Sequence, residues 1–246
     1  MNEKIVIFGG TSAIAMESAK IWAGQGANIC LVARSSDKLS VVAADLKSRG
    51  AREVITITAD LSDIASHPNL MRSIESQFNE FDTVLIAYGT LGDQKMCQQD
   101  FINAAQEINT NFTSAVSILT FISNYFEKRG AGSIGVITSV AGDRGRKSNY
   151  IYGTAKGALS IYLQGLRNRF GKTNISVTDI KPGFTDTPMT ANFKKGPLFV
   201  GPEVVGKGIV SALAKKRDTA YLPWFWRYIM LIIKHIPEFI FKKMSL

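Results

Sequence analysis

The sequence predicts an α/β fold: a single domain built on a doubly wound, mostly parallel sheet, followed by an amphipathic C-terminal segment. Three observations predict it. Short β-branched runs alternate with helical patterns from Lys4 to about Leu222. The first run ends in a glycine turn that opens directly into a helix. No internal repeat or linker divides the chain, and 246 residues suffice for one sizeable core. The domain is expected over residues 1–223, with the amphipathic extension over 224–246.

The elements follow in order. Lys4–Phe8 is a strand that ends in Gly9-Gly10-Thr11-Ser12, and the next helix sets Ile14, Ala15, Ser18, Ala19 and Trp22 on one side. Asn28 to Ala33 is a second strand, Asp37 to Arg49 a helix, and Val54 to Thr58 a third strand closing in Ala59-Asp60. A helix around Asn69 to Phe78 leads to the strand Thr83 to Ala87. A long helical region runs from about Gln99 to Lys128, and Gly130-Ala131-Gly132 breaks it before the apolar run Ser133 to Thr138. The next helix reaches about Phe170, and Ile175 to Ile180 is a strand closed by Pro182-Gly183. An irregular stretch, 184–201, then precedes a helix opened by Pro202 and a last short strand at Thr219 to Leu222.

Composition narrows the function. Lys and Arg number 29 against 20 Asp and Glu, a formal charge of +9. Nucleic acid, an anionic membrane surface and anionic small molecules compete to explain it, beside a plainly solvated basic surface. No basic run is interleaved with aromatics as in a nucleic-acid module, so nucleic acid is not expected as a partner. The two cysteines, Cys30 and Cys97, form no CxxC or Cys/His cluster, so neither a metal site nor a disulfide framework is expected. Cys30 lies in a strand and reads as a buried thiol. His67 and His235 stand alone and read as surface or partly packed residues. Met1 to Lys4 leads straight into a strand rather than a secretory signal, which sets the expected compartment as cytoplasmic.

Chemistry concentrates between Ser139 and Lys156. Tyr152 and Lys156 are four residues apart and share one helix face. An ammonium beside a phenol favours the phenolate and is expected to pull the tyrosine below its ordinary value of about 10. Such a group exchanges protons near neutral pH. Ser139 ends the preceding strand, where its hydroxyl would approach Tyr152. Tyr150 is a rival phenol, but only Tyr152 has a lysine four residues on.

The first turn suggests a dinucleotide. Gly9, Ala13 and Ala15 approximate a glycine-rich phosphate loop, with Thr11, Ser12, Ala13 and Ile14 at the helix start. Ala13 places a methyl group where a glycine would let pyrophosphate approach. After the second strand come Arg34 and Ser35, with no acid to hold a ribose 2′-hydroxyl. A cation there suits a 2′-phosphate, hence NADPH/NADP rather than NAD. A solvated surface arginine is the plainer alternative.

With these residues in place, the chain resembles the short-chain dehydrogenases/reductases from end to end, and the fold is then of Rossmann type. The resemblance rests on the Gly9 turn, Asp60, Asn111, Ser139, Tyr152-x-x-x-Lys156 and Pro182-Gly183-Phe184-Thr185-Asp186-Thr187, all in the family's order. It implies that Tyr152 is the general acid/base, that Ser139 polarises a carbonyl, and that Lys156 holds the nicotinamide ribose. It further implies that Asn111, rather than Asn109, anchors a relay water. Cofactor contacts would come from Asp60 and Leu61 at adenine, from Gly89, and from Pro182, Gly183, Thr185 and Thr187 near the carboxamide. The family's Asn-Asn-Ala-Gly appears here as Ile86-Ala87-Tyr88-Gly89, and its first-turn Gly-x-Gly as Ala13-Ile14-Ala15.

Further strings are similar to the reductases that complete the 2′-epimerisation of decaprenylphosphoryl ribose: Gly89-Thr90-Leu91-Gly92-Asp93, Ser139 through Arg146, Ile180 through Met189, and Pro223-Trp224-Phe225-Trp226-Arg227. That resemblance implies reduction of a 2-keto sugar on a polyprenyl phosphate, with a flavoprotein oxidase as partner. The segment 224–246 mixes Trp, Phe, Ile and Leu with Arg227, Lys234, Lys242 and Lys243. It is too short between charges for the roughly 20 apolar residues of a membrane span, but suits peripheral contact with a membrane. Packing on the domain or at a subunit interface are its alternatives, and the family resemblance implies a homodimer or homotetramer. Arg144, Arg146 and Lys147, or Lys194 and Lys195, are placed to meet a phosphate, although solvated charge explains any one of them. The rival functions are a 3-oxoacyl-thioester or general ketone reductase, and a non-catalytic NADP-binding sensor or scaffold.

Overall fold

In the computed structural model, which describes residues 3–244, seven parallel strands form one sheet. They are β1 (Lys4–Phe8), β2 (Asn28–Ala33), β3 (Glu53–Thr58), β4 (Thr83–Ile86), β5 (Ala131–Ile137), β6 (Asn174–Pro182) and β7 (Thr219–Leu222). Their order is β3-β2-β1-β4-β5-β6-β7. The chain winds outward from β1 in one direction and then returns to β4 beside it, so the order reverses between β1 and β4. Ligands of open α/β sheets bind at such a reversal, outside the carboxyl ends of the strands.

The strands are apolar because both faces are covered. Val6 and Phe8 pack on one side with Ile74, Phe78, Ile118, Ile122 and Leu163. Ile5 and Ile7, one residue out of phase, pack on the other with Ala15, Ala19, Leu39 and Ile209. The first layer draws on α3 (His67–Phe78), α6 (Ser114–Arg129) and α7 (Tyr150–Phe170), and the second on α1 (Ala13–Gly24), α2 (Ser36–Ser48) and α8 (Pro202–Ala214). Ser12 caps α1 by accepting from Ala15 N at 3.3 Å.

Several expectations change. The long helix expected from Gln99 to Lys128 is interrupted. A short α4 (Gln94–Gln99) ends where Asp100 caps α5 (Phe101–Ile108), and a π-helical turn, Asn109–Thr113, joins α5 to α6. Gly130 alone makes the break after α6, in left-handed backbone at φ 78°. Gly132 belongs to β5, where the Phe126 ring fills the space a Cβ would need. Ile14 is only half buried: it packs at the margin of the second layer and also lines the cleft described below. His67 is wholly buried, not a surface residue: Nε2 lies 3.2 Å from the Leu61 carbonyl and Nδ1 2.9 Å from Ser117 Oγ. Burial lowers its pKa.

The C-terminal segment forms α9 (Trp226–His235) and α10 (Glu238–Phe241). Trp226 and Met230 are buried against Val140, with Phe184, Tyr221 and Phe225 packed around them. Among the described residues, no helix is long and apolar enough to cross a membrane.

Candidate active site

The carboxyl ends of β1, β4, β5 and β6 open into one cleft of about 500 Å³. At one end it is lined by Arg34, Lys38 and Asp60, in the middle by Gly9 and residues 11–14, and at the other end by Asn111, Ser139, Tyr152 and Lys156. Gly183, Thr185 and Thr187 cover it from the loop after β6.

Each wall has a local cause. Gly9 turns at φ 85°, and its amide donates to the Val32 carbonyl at 2.8 Å. A Cβ on Gly9 would stand 2.8 Å from Tyr88 Cβ, so the bulky residue in the β4 turn demands glycine opposite it. The Tyr88 hydroxyl is tied to Ser114 Oγ at 3.0 Å, and burial raises its pKa. Asp60 accepts from Ser62 N and Oγ at 3.0 and 2.8 Å, and these bonds lower its pKa. Ser35 does not line the cleft. Its hydroxyl caps α2 by accepting from Lys38 N at 3.3 Å, and Lys38 itself takes the place at the wall.

Ser139 and Tyr152 meet because a 3₁₀ turn, Val140–Asp143, lies directly on α7. Three glycines permit it. A Cβ on Gly142 would sit 2.7 Å from Gly157 N, one on Gly157 2.7 Å from Gly142 O, and one on Gly153 2.8 Å from Ala141 O. The turn is anchored from behind by Asp143, which accepts from Lys181 Nζ at 2.5 Å and from Tyr221 OH at 2.7 Å. Ser139 Oγ accepts from Ala141 N at 3.1 Å, and its hydroxyl lies near enough to the Tyr152 hydroxyl to favour the phenolate.

Asn111 and Lys156 complete the group. Gly89, at φ 155°, passes between them: a Cβ there would stand 2.5 Å from Asn111 Oδ1 and 3.2 Å from Lys156 Nζ. Lys156 Nζ donates to the Ile137 carbonyl at 3.2 Å. Asn111 Oδ1 accepts from Thr90 N at 3.2 Å, and its Nδ2 donates to Glu107 O and Oε2, both at 3.1 Å. The widened turn at 109–113 carries this asparagine, consistent with π-helical turns favouring functional sites. Asn109 points elsewhere and donates to Ser62 O at 3.0 Å. Tyr150 is exposed and does not line the cleft.

A family model described as short chain dehydrogenase matches residues 3–197. The chain belongs to the short-chain dehydrogenases. It is 35% identical over 240 residues to an uncharacterized oxidoreductase of Mycobacterium tuberculosis, covering 98% of this chain and 96% of that one. A Streptomyces coelicolor oxidoreductase is 30% identical over 241 residues, covering 98% and 95%. The fold matches the actinorhodin polyketide ketoreductase solved with NADPH, at TM-score 0.79 and 20% identity over 89% of this chain and 94% of that one. It also matches L-sorbose reductase from Gluconobacter frateurii, solved with NADPH and L-sorbose, at TM-score 0.79 and 22% identity over 90% and 95%. The protein is thus an NAD(P)-dependent oxidoreductase of this family.

The dehydrogenase's cleft suits a dinucleotide. It runs unbroken from two cations at Arg34 and Lys38, past the start of α1, to the Ser139 and Tyr152 hydroxyls. The Ala13 methyl lines it without closing it.

The electrostatics differ from the expectation for the tyrosine. Burial pushes Tyr152 up to about 12, the Ser139 hydroxyl opposes the rise, and the Glu107 carboxylate adds to it. Lys156 Nζ stands 5.8 Å from the Tyr152 ring centroid, and Lys156 is not among the groups that shift the phenol. Burial instead lowers Lys156 to about 8, against the attraction of Asp179 and Glu107. The pair is visible in sequence, but its desolvation is a tertiary property.

Other basic residues are sorted by the dehydrogenase's C-terminal helices. Arg144 does not face the cleft. Its guanidinium donates to the Ile233 and Ile236 carbonyls, both at 2.6 Å, pairs with Glu238 at 2.9 Å and lies 3.7 Å from the Phe241 ring centroid. Lys195 pairs with Asp186 at 2.6 Å. Arg146 does line the cleft. Sequence reasoning missed Lys38, Thr90 and Glu107. Lys38 had a signal, lying one helical turn beyond Arg34, whereas Glu107 had one only in being four residues before Asn111.

Proposed function

We propose that this dehydrogenase is an NADPH-dependent carbonyl reductase that converts a ketone to an alcohol. The observation that carries the reading is that Ser139, Tyr152, Lys156 and Asn111, far apart in the chain, line one cleft. The cofactor supplies a hydride to the ketone carbon. Ser139 donates a hydrogen bond to the ketone oxygen and holds it against Tyr152. Tyr152, fully protonated at neutral pH, gives its proton to that oxygen as negative charge develops there. Lys156, in the same cleft, would hold the nicotinamide ribose through its ammonium. Asn111, fixed by Glu107 and Thr90, marks the route by which the proton is replaced. Arg34 and Lys38 favour the 2′-phosphate of NADPH over NAD. A Tyr152→Phe protein that binds NADPH normally should lose about 10²–10⁴-fold in turnover; retention of full turnover would remove the mechanism and favour a cofactor-binding scaffold.

For the substrate, the string similarities support a 2-keto sugar on a polyprenyl phosphate, with a flavoprotein producing the ketone. The apolar outer face of α9 and α10 supports a lipid-proximal site. Trp224, Tyr228, Leu231, Ile232, Phe239 and Ile240 are exposed there beside Arg227, Lys234, Lys242 and Lys243. Removing 224–246 is a poor test, because Trp226 and Met230 are core residues. Tyr228→Glu with Ile232→Glu should abolish sedimentation with anionic vesicles; unchanged binding, or no binding by the native protein, would leave a cytosolic 3-oxoacyl or general ketone substrate as the better reading. Exposed Phe101, Ile102 and Ile161 on α5 and α7 support a homodimer or homotetramer, which light scattering would measure.

A further inference from the structure

We propose that Arg146 is the receptor for an anionic group, a phosphate ester or a carboxylate, carried by the ketone substrate. The inference rests on the reductase reading and deepens it by assigning the substrate's charge.

Arg146 lies in the insert between the 3₁₀ turn after Ser139 and the start of α7. Asn149 N donates to the Arg146 carbonyl at 3.1 Å, so the residue sits in a fixed turn just ahead of Tyr152. It lines the same cleft as Ser139 and Tyr152. Its guanidinium is under-used. Nη2 meets Met230 Sδ at 3.4 Å, a weak acceptor, and Nε is buried without any partner. Among the described residues no carboxylate lies within ion-pair distance of it. The acid of its own insert, Asp143, is occupied by Lys181 and Tyr221, and Glu238 is occupied by Arg144.

A partly buried cation with idle donors is costly unless something answers it. Burial lowers the Arg146 pKa, and the Asp143 carboxylate, engaged by Lys181 and Tyr221, only partly opposes it. An anion with two oxygens offers what the protein does not, parallel acceptors for the guanidinium fork. Arg144, two residues away, is saturated by carbonyls, a carboxylate and a ring, so the two arginines have divided structural and binding work.

The cofactor's 2′-phosphate is not the occupant: its proposed partner, Arg34, follows β2, whereas Arg146 lies beyond β5, and β1 and β4 stand between those strands. Around Arg146 the wall is mixed. Phe184 packs with Met230, the residue that meets the guanidinium, and Asn149 Oδ1 is buried without a partner, an acceptor for a substrate hydroxyl.

The test uses the NADP-loaded full chain, so that the Arg34 end is filled. Calorimetric binding is compared for dihydroxyacetone phosphate against dihydroxyacetone, and for levulinate against methyl levulinate. NADPH oxidation is followed separately with the same probes. The native protein should bind at least one anionic probe about tenfold or more tightly than its neutral partner. Arg146→Met should bring the pair within about twofold, and Arg146→Lys, which keeps the charge, should retain part of the preference. Which pair discriminates identifies phosphate or carboxylate. Equal binding within both pairs, no binding of either anion, or a preference surviving in Arg146→Met would overturn the assignment. Selective binding without NADPH oxidation would leave the assignment standing and overturn the reductase reading instead.

Discussion

Gly142 and Gly157 touch backbone to backbone, with no room on either for a methyl group: each added Cβ would stand 2.7 Å from a main-chain atom of the other. This contact sets the distance between the turn that carries Ser139 and the helix that carries Tyr152. Gly157→Ala should therefore push the turn off α7. The expected cost is about 1–3 kcal/mol in stability, from overpacking. Turnover should fall more than NADPH affinity, because Ser139 moves relative to Tyr152 while Arg34 and the α1 start do not. Denaturant unfolding together with steady-state kinetics measures both.

A pH dependence follows from Lys156. Its folded value of about 8 is depressed by burial, so the ammonium is lost as pH rises through that value. Reduction should be fastest below about pH 8 and decline above it with a single-proton slope. Tyr152, near 12, stays protonated throughout this range. Stability should move the other way. Between about 8 and the unfolded value near 10.4 the unfolded chain binds more protons at this lysine, so its contribution to stability rises with pH. Lys156→Met should remove that stability slope and most turnover; thermal melts at pH 8 and 10 provide the comparison.

Cofactor choice should be movable at Arg34. Arg34→Ser combined with Lys38→Ser should raise KM for NADPH by roughly tenfold to a hundredfold, the worth of one charge-assisted hydrogen bond or two. KM for NADH should change little. An equal loss for both cofactors would place neither cation at a 2′-phosphate.

Arg144 makes a structural prediction. Its bonds to the Ile233 and Ile236 carbonyls close the end of α9, while its ion pair with the exposed Glu238 adds little. Arg144→Ala should destabilise the protein by about 1–3 kcal/mol by leaving carbonyls without donors. Glu238→Gln should be nearly neutral, and hydrogen exchange should localise the loosening to α9 and α10.

What the sequence made legible was local. The glycine turn after β1, the β/α alternation and the Tyr152–Lys156 spacing each depend on neighbours a few residues apart, and each led to its place in the fold. What it hid was tertiary. Nothing near Tyr152 in the chain reports that its hydroxyl is buried, so the direction of its shift was missed. Arg144 and Arg146 look alike in sequence, and only α9 separates them. The helix around Asn111 read as continuous, because a π turn leaves apolar periodicity nearly intact. Gly153 and Gly157 were visible as glycines, but their reason, the turn at Gly142, lies across the fold.

The wall formed by Trp226 and Met230 against Val140 and Phe184 has a consequence for biosynthesis. A chain is made from its N-terminus, and domains fold as they emerge. Residues 9–60 are made early, whereas those that brace the Ser139 turn come late. Yet Ala15 and Ala19 of α1 share a core with Ile209 of α8, so the early half also waits for late residues, and the two ends of the cleft form together.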